Sequence, residues 1–407
     1  MTARPYDPAR VFVRGFGLNE GLEWGFWLAL SVFWIVELRL GPLQLVLMGV
    51  ALEVTVLLSE TPTGVVADLH SRKRSVLIAQ VLMGISLVWS VSSLNFWVIL
   101  PAQVLVGFGW TFRSGADTAW VTDELKGIGE FSDDDVEHLL LRKHRFGILV
   151  AIASLTFTMI VGTLTSVRLV AAFLGLIYIA MAFYFHRNMR EDHFSPGRQD
   201  GRGFVEMLKK GIGVVAGRPR LRVLVVVVLL VNFGAMAFDR LGYKHFLDSA
   251  DVSDDSLLVL GLLFLVLAFA GLVVNAASSR VLSRGHGVAR LGAVLLAVAA
   301  IGGFIASATS VVVVIAFGYL FQDSVREALW PVLEGWANRD APSEVRATVH
   351  SLMGQTTSLG ELAGGLVLGA LSELVTIPAA LGIAALFFAA AAAVATRGIA
   401  SRSDLPA

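Results

Sequence analysis

The chain contains no cysteine in its 407 residues. That removes disulfides, thiol nucleophiles and Cys-ligated metal sites together. Charge is scarce as well: Asp, Glu, Lys and Arg make up 16% of the sequence, against roughly 25% in a typical soluble domain. The charges present balance, 32 basic against 32 acidic, so no net field draws the chain to nucleic acid. No glycine loop ends in Lys-Ser or Lys-Thr, which argues against a phosphate cradle and ATP drive. No His or acid cluster has the spacing of metal ligands, and no Ser, His and acid stand in an order that suggests hydrolysis. The expectation is a protein that is not an enzyme and holds no cofactor or metal. The opening MTARPYDPARVFVRGFG lacks the compact apolar stretch and small-residue cleavage site of a secretory signal, so the first apolar segment is expected to be retained.

Apolar residues are what the chain has in excess, at 56%. A spanning helix needs about 20 mostly apolar residues. The sequence offers twelve such runs, near 16–37, 42–63, 75–94, 96–122, 146–165, 167–185, 221–239, 257–279, 288–308, 310–336, 347–371 and 376–396. The main polar intervals are 123–145, 186–220 and 239–256. With the N-terminus inside, 26 of the 32 Lys and Arg fall in cytoplasmic segments, and four lie outside: Arg39, Arg168, Arg240 and Lys244. Arg113 and Arg326 remain within spans. This asymmetry places both termini in the cytoplasm.

The long interval near the middle divides the chain into 1–186, an N-terminal six-helix bundle, 187–220, a cytoplasmic interdomain loop, and 221–407, a C-terminal six-helix bundle. Arg113 in span 4 and Arg326 in span 10 are 213 residues apart, a weak sign of a parallel internal repeat. GFVEMLKKGIGVVAG, 203–217, reads as an amphipathic helix at the inner membrane surface. SDDDVEHLLLRKHR, 132–145, has a Ser cap, acids first and bases last, as a helix dipole favours.

Ionisable residues inside a membrane are costly and default to functional candidates. Span 1 carries Asn19, Glu20 and Glu23, and span 4 carries Arg113 and Asp117. Span 7 offers Asn232, with Asp239 at its outer end near water. Span 10 carries Asp323, Arg326, Glu327 and Glu334. Glu53, Glu60, Gln355 and Glu361 fall on other spans. Arg113 and Asp117, four apart, could pair on one helix face, as could Arg326 with Asp323 or Glu327. Trp27 and Trp330 stand close to these charges and could hold a cation on a ring face. Trp34, Trp97 and Trp336 fit an interfacial aromatic belt. Gly360, Gly364, Gly365 and Gly369 give span 11 a face for close packing.

Between spans 2 and 3, Gly64, Asp68, Arg72 and Lys73 stand at the spacing Gly-x-x-x-Asp-x-x-Gly-Arg-Arg/Lys, with Ser71 where the second Gly is usual. Glu60-Thr-Pro-Thr-Gly64, the Ser114-Gly-Ala segment of span 4 and Arg346-Ala-Thr add to the pattern. In span count, layout and these motifs the chain resembles the major facilitator superfamily, in particular its drug-exporter-like branch. Two features depart from that branch. Gln103 occupies a position where many proton-driven members have Arg, and 146–165 lacks the Gly-Pro pattern of drug–proton antiporters.

The resemblance implies an all-α integral membrane fold of twelve transmembrane helices in two pseudo-symmetric six-helix bundles, with helices 1, 4, 7 and 10 lining a central cavity. It implies a cytoplasmic gate of Gly64, Asp68, Arg72, Lys73 and Asp123, latched in the outward-open state. Substrate or proton binding falls to Glu23, Trp27, Arg113, Asp117, Asn232, Asp323, Arg326, Glu327 and Trp330. The expected activity is secondary active transport by alternating access, moving small amphipathic molecules outward on a proton gradient. Uptake of a nutrient or metabolite by a symporter or facilitator is the alternative. A membrane sensor without transport would need a larger soluble module than 186–220. The expected setting is the bacterial cytoplasmic (inner) membrane, with the lipid bilayer and a small-molecule substrate as partners, no nucleic acid, and the protein a monomer.

Overall fold

A computed structural model describes residues 6–129, 133–194, 209, 212–252, 255–283, 287–341 and 346–400. No strand occurs among them. They form twelve long helices, the major facilitator fold, numbered here in chain order. Helix α1 runs from Pro8–Val11 through the π-helical turn Phe12–Phe16 and the α-helix Gly17–Val32 to a second π-turn, Phe33–Glu37. Then come α2 (Pro42–Leu69), α3 (Arg72–Ser90), α4 (Phe96–Arg113 and Ala116–Ile128), α5 (Asp133–Leu164) and α6 (Val167–Asn188). The second half holds α7 (Pro219–Ala237, the π-turn Phe238–Gly242, and Tyr243–Ala250), α8 (Ser256–Ser283) and α9 (Val288–Ser307). It ends with α10 (Val312–Asp340), α11 (Arg346–Leu374) and α12 (Ile377–Ala400).

Local chemistry sets the starts and breaks. Asp7, Ser71, Asn95 and Ser166 each cap a helix, accepting the N–H of Arg10, Arg74, Trp97 and Leu169 in turn. Such caps satisfy donors that the first turn leaves open. Helix α4 breaks at Ser114–Gly115 because Gly115 takes φ 73°, a left-handed conformation that favours glycine. Among the described residues, eight helices are long and apolar enough to cross a membrane: α2, α4 to α9 and α12. Of the other four, α1, α3 and α10 carry the charges that the sequence concentrates in spans 1 and 10 and at the head of span 3, and α11 carries Arg346, Glu361 and Glu373.

Contacts divide the chain into two compact units. Unit 1 holds Met1–Arg39, Val54–Asp200 and Asp254–Phe264; unit 2 holds Leu40–Glu53, Gly201–Ser253 and Leu265–Ala407. In unit 1, α1 packs on α5, and α3 packs on both α4 and α6. In unit 2, α7 packs on α11, and α9 packs on both α10 and α12. Each pairing of unit 1 thus recurs six helices later in unit 2.

Close approach depends on small residues where helices touch. A Cβ on Gly84 would lie 2.6 Å from the Gly175 carbonyl, and one on Gly175 would lie 2.7 Å from the Gly84 carbonyl. In α11, a Cβ on Gly364 would overlap the Phe233 carbonyl of α7. The packing expected of the span-11 glycines is therefore present, and α7 is one partner.

Two expectations change. Trp34 and Trp336 are not belt residues: both are 1% exposed, and the Trp336 indole donates to Asp340 Oδ2 at 2.8 Å. Trp97, 72% exposed, fits a belt. The proposed surface helix 203–217 lies mostly outside the described residues, as does Ser132, the expected cap of α5.

Candidate functional site

Among the described residues, two charged centres of unit 1 and one of unit 2 hold charged residues singled out in the sequence. The first joins α1 to α4. The Arg113 guanidinium donates to Glu23 Oε1, and the amide of Asn19 donates to the same oxygen at 3.3 Å. Arg113 lies 5.1 Å over the Trp110 ring. The side chains of the pair are 17% and 14% exposed. A pair this enclosed is held by mutual charge and hydrogen bonding, and removing one partner strands the other.

Asp117 does not pair with Arg113 as its i, i+4 spacing suggested. The break at Gly115 separates the two turns, and Asp117 Oδ1 instead accepts the N–H of Thr118 at 2.7 Å. Its other oxygen faces Lys143 of α5 at 4.0 Å. Lys143 also meets Glu20 at 3.5 Å, and His144 Nδ1 lies 2.6 Å from Glu20 Oε1. Lys143 and His144 were legible only as the basic end of a surface helix. Trp27 packs edge-on against Phe26, ring centroids 4.7 Å apart.

The second centre of unit 1 contains the loop 2–3 motif. Arg72 donates to Asp123 of α4 and, at 2.6 Å, to the Ala119 carbonyl. Asp68 lies 3.8 Å away across the break between α2 and α3. Lys73 contributes its backbone N–H, which donates to Glu191 Oε1 at 2.7 Å. Ser71 is extended, φ −177°, so glycine is not required there. Gly64 is not a close-approach residue in this structure: a Cβ on it would meet nothing within 4 Å.

The chain after α6 completes this centre, and sequence reasoning missed it. Glu191 accepts the Ser71 hydroxyl at 2.5 Å. The Arg190 carbonyl accepts the Trp120 indole N–H at 2.5 Å, and the buried Glu124 accepts the His193 N–H at 3.0 Å. Tyr6 accepts the Arg190 N–H at 3.0 Å beneath the Arg190 guanidinium. Burial pushes the Tyr6 phenol up to about 12.

The third centre lies in unit 2. Arg326 of α10 donates to both oxygens of Asp239, at 2.7 and 3.2 Å, and to Asp323 at 2.9 Å. This repeats the logic of Glu23 and Arg113: an arginine on the fourth helix of each half grips an acid on the first. Asp239 therefore sits inside α7, not at a wet helix end, and Arg240 shares its π-turn and is not in an outer loop. π-turns of this kind recur at functional positions. Asn232 is not part of the cluster; it donates to the Val228 carbonyl at 2.8 Å and meets Thr357 at 3.5 Å. Trp330 is 38% exposed. The Glu327 side chain lies outside the described residues.

Gln103 is fully buried, and neither of its amide atoms has a hydrogen-bond partner among the described residues.

Comparison with known proteins places this architecture. The profile of the Major Facilitator Superfamily matches residues 142–365. A Bacillus subtilis (strain 168) protein described as the uncharacterized MFS-type transporter YxaM is 22% identical over 388 residues, covering 91% of this chain and 90% of that one. The fold is similar to a crystal structure of the nucleoside transporter NupG in point-mutant form: TM-score 0.76, 12% identity, 96% of this chain and 99% of that one. It is also similar to the inward-facing, unoccupied structure of a bacterial homolog of the human lysosomal transporter Spinster: TM-score 0.74, 16% identity, 100% of both chains. The matched profile covers more than half of the sequence, and the chain belongs to the Major Facilitator Superfamily.

Proposed function

We propose that this membrane transporter is a proton-coupled exporter of small amphipathic molecules from the drug-exporter-like branch, working by alternating access in the bacterial cytoplasmic membrane. The observation that carries the reading is the enclosed Glu23–Arg113 pair. A carboxylate bound to one arginine in an apolar interior has two ways to lose that partner: it takes a proton, or a competing group displaces it. Either event frees Arg113 and changes the charge that α1 and α4 hold between them, which is the switch that a coupled carrier needs. Arg326, held by Asp239 and Asp323, plays the corresponding part on α7 and α10. Asp68, Arg72 and Asp123 serve as a latch that forms in one state and parts in the other.

Gln103 favours an alternative, an uptake symporter or facilitator, because it stands where many proton-driven members carry Arg. Proteoliposomes separate the two readings. A pH gradient, inside acid, is imposed on vesicles containing the protein and a panel of fluorescent amphipathic cations. Gradient-driven movement lost in Glu23→Gln supports the exporter. Flux indifferent to the gradient removes proton coupling, and retained coupling in Glu23→Gln removes that residue from the switch.

A further inference from the structure

Unit 2 brings together four acids and two arginines: Glu53 of α2, Asp239 and Arg240 of α7, Asp323 and Arg326 of α10, and Glu361 of α11. Arg326 accounts for Asp239 and Asp323. Arg240, next to Asp239, also feels the charges of Glu53 and Glu361, two residues outside the helices expected to line a cavity.

Packing places these two acids opposite each other. A Cβ on Gly369 would meet Val46 at 2.8 Å, and one on Gly365 would meet Val50 at 3.1 Å. Helices α2 and α11 therefore run antiparallel, and the next turn along each aligns Glu53 with Glu361. This register brings the Glu53 and Glu361 carboxyls close enough to act on each other. A Cβ on Gly49, one turn before Glu53, would lie 2.8 Å from Arg240 Nε. Arg240 thus enters the same space, where its charge acts on both glutamates. Tyr243 on α7 and Tyr319 on α10 stack beside this network, centroids 5.8 Å apart.

An ionised carboxylate only accepts hydrogen bonds. Two carboxyl groups facing each other can therefore hydrogen-bond only with a proton on one of them. Charge points the same way. Four ionised acids against two arginines would leave two excess negative charges among apolar helices, which is costly, and one proton removes one of them. Among the described residues no three His, Cys, Asp or Glu side chains converge as metal ligands, and a single proton needs only the two oxygens present.

We propose that Glu53 and Glu361 share one proton and form a second titrating centre, held against Arg240. Uptake places the proton between the two carboxyl oxygens. Release leaves two carboxylates facing one guanidinium, and repulsion between them loosens α2 from α11. Its use as a coupling proton rests on the proton-driven reading above; the shared proton itself does not.

Infrared difference spectroscopy of the full chain in lipid bilayers, titrated with pH, tests the proposal. The expected result is a protonated-carboxyl C=O band that is lost with rising pH in the native chain. The band should be missing from both Glu53→Gln and Glu361→Gln, because glutamine keeps a hydrogen bond without titrating, and it should persist in Glu23→Gln. In Glu53→Asp the band should shift and remain, so the assignment does not depend on the Gln variants folding. A band unchanged in both Gln variants would overturn the proposal. Loss in only one would overturn the sharing. A band lost in both, alongside gradient-indifferent flux in the native protein, would uphold the proton site and refute the coupled transport.

Discussion

The Ser71 hydroxyl stands between two partners, donating to Glu191 Oε2 at 2.5 Å while its oxygen accepts the Arg74 N–H at 2.9 Å. The one residue that departs from the loop 2–3 signature thus ties the head of α3 to the chain after α6. Glycine at this place would remove both bonds and gain nothing from its conformational freedom, since the backbone is extended.

The first prediction concerns that cap. Ser71→Ala should destabilise by the roughly 0.5–2 kcal/mol that a lost N-cap costs, and Ser71→Gly by less, so both should lower the melting temperature. Thermal melting of the purified protein checks this. An increase in stability with Gly would show that the signature glycine is preferred here after all.

Glu191 accepts from both Ser71 and the Lys73 N–H, so its loss should loosen the Arg72–Asp123 centre beside it. The chain lacks cysteine, so single-cysteine reporters can be introduced without background. A reporter such as Thr122→Cys, next to Asp123, should label several-fold faster in a Glu191→Ala background. Glu191→Gln, which keeps an acceptor oxygen, should restore part of the native rate. Equal labelling in all three backgrounds would separate the post-α6 segment from the gate.

The twelve helices were legible because an apolar run of spanning length has few other uses. The side-chain partnerships were not, for reasons specific to each residue. Glu23 and Arg113 are 90 positions apart, and no local rule links them. Asp117 was assigned to Arg113 by helical spacing, but Gly115 breaks that helix; the Ser-Gly pair in mid-span was the available signal. Asp239 and Arg240 follow the last residues of an apolar run and so read as an ending, yet the backbone continues through a π-turn to Ala250. Glu53 and Glu361 stood apart on the wrong spans until antiparallel packing brought them face to face. The glycine row of α11 and the loop 2–3 motif were legible because both rest on spacing within a single stretch.

Two glycine substitutions should have opposite results. Gly364→Ala drives a methyl into the Phe233 backbone and should destabilise by about 1–3 kcal/mol, the usual cost of overpacking. Gly64→Ala meets no atom within 4 Å and should be neutral or stabilising by up to about 1 kcal/mol, as alanine suits a helix better. If Gly64→Ala melts normally but slows transport, a conformation other than this one brings a second helix against Gly64.

Tyr6 predicts a dependence on pH at the alkaline end. Its folded pKa of about 12 lies above the ordinary 10.0, chiefly through burial. The folded state therefore keeps the phenol proton that the unfolded chain gives up first. The resulting stability is fully present below pH 10 and is lost as pH rises from 10 towards about 12. Tyrosinate absorbance of the native protein minus that of Tyr6→Phe should show one phenol ionising in that upper range. Tyr6→Phe should also flatten the fall in melting temperature over the same interval. A difference spectrum centred at the ordinary phenol value would mean that Tyr6 is not buried as it is here.

The Glu23–Arg113 pair predicts strong non-additivity. Truncating either residue alone leaves an uncompensated charge between α1 and α4, which should cost about 3–5 kcal/mol. Removing both, as Glu23→Gln with Arg113→Gln, takes away the charge and its partner together and should cost less than the two single changes combined. Melting of the four proteins gives the coupling energy directly. The same four, assayed for gradient-driven flux, separate structure from function: the double variant should be folded and uncoupled. If the double variant moves substrate with the gradient as the native protein does, the pair serves the fold alone, and the coupling charge lies on α7, α10 or the Glu53–Glu361 centre.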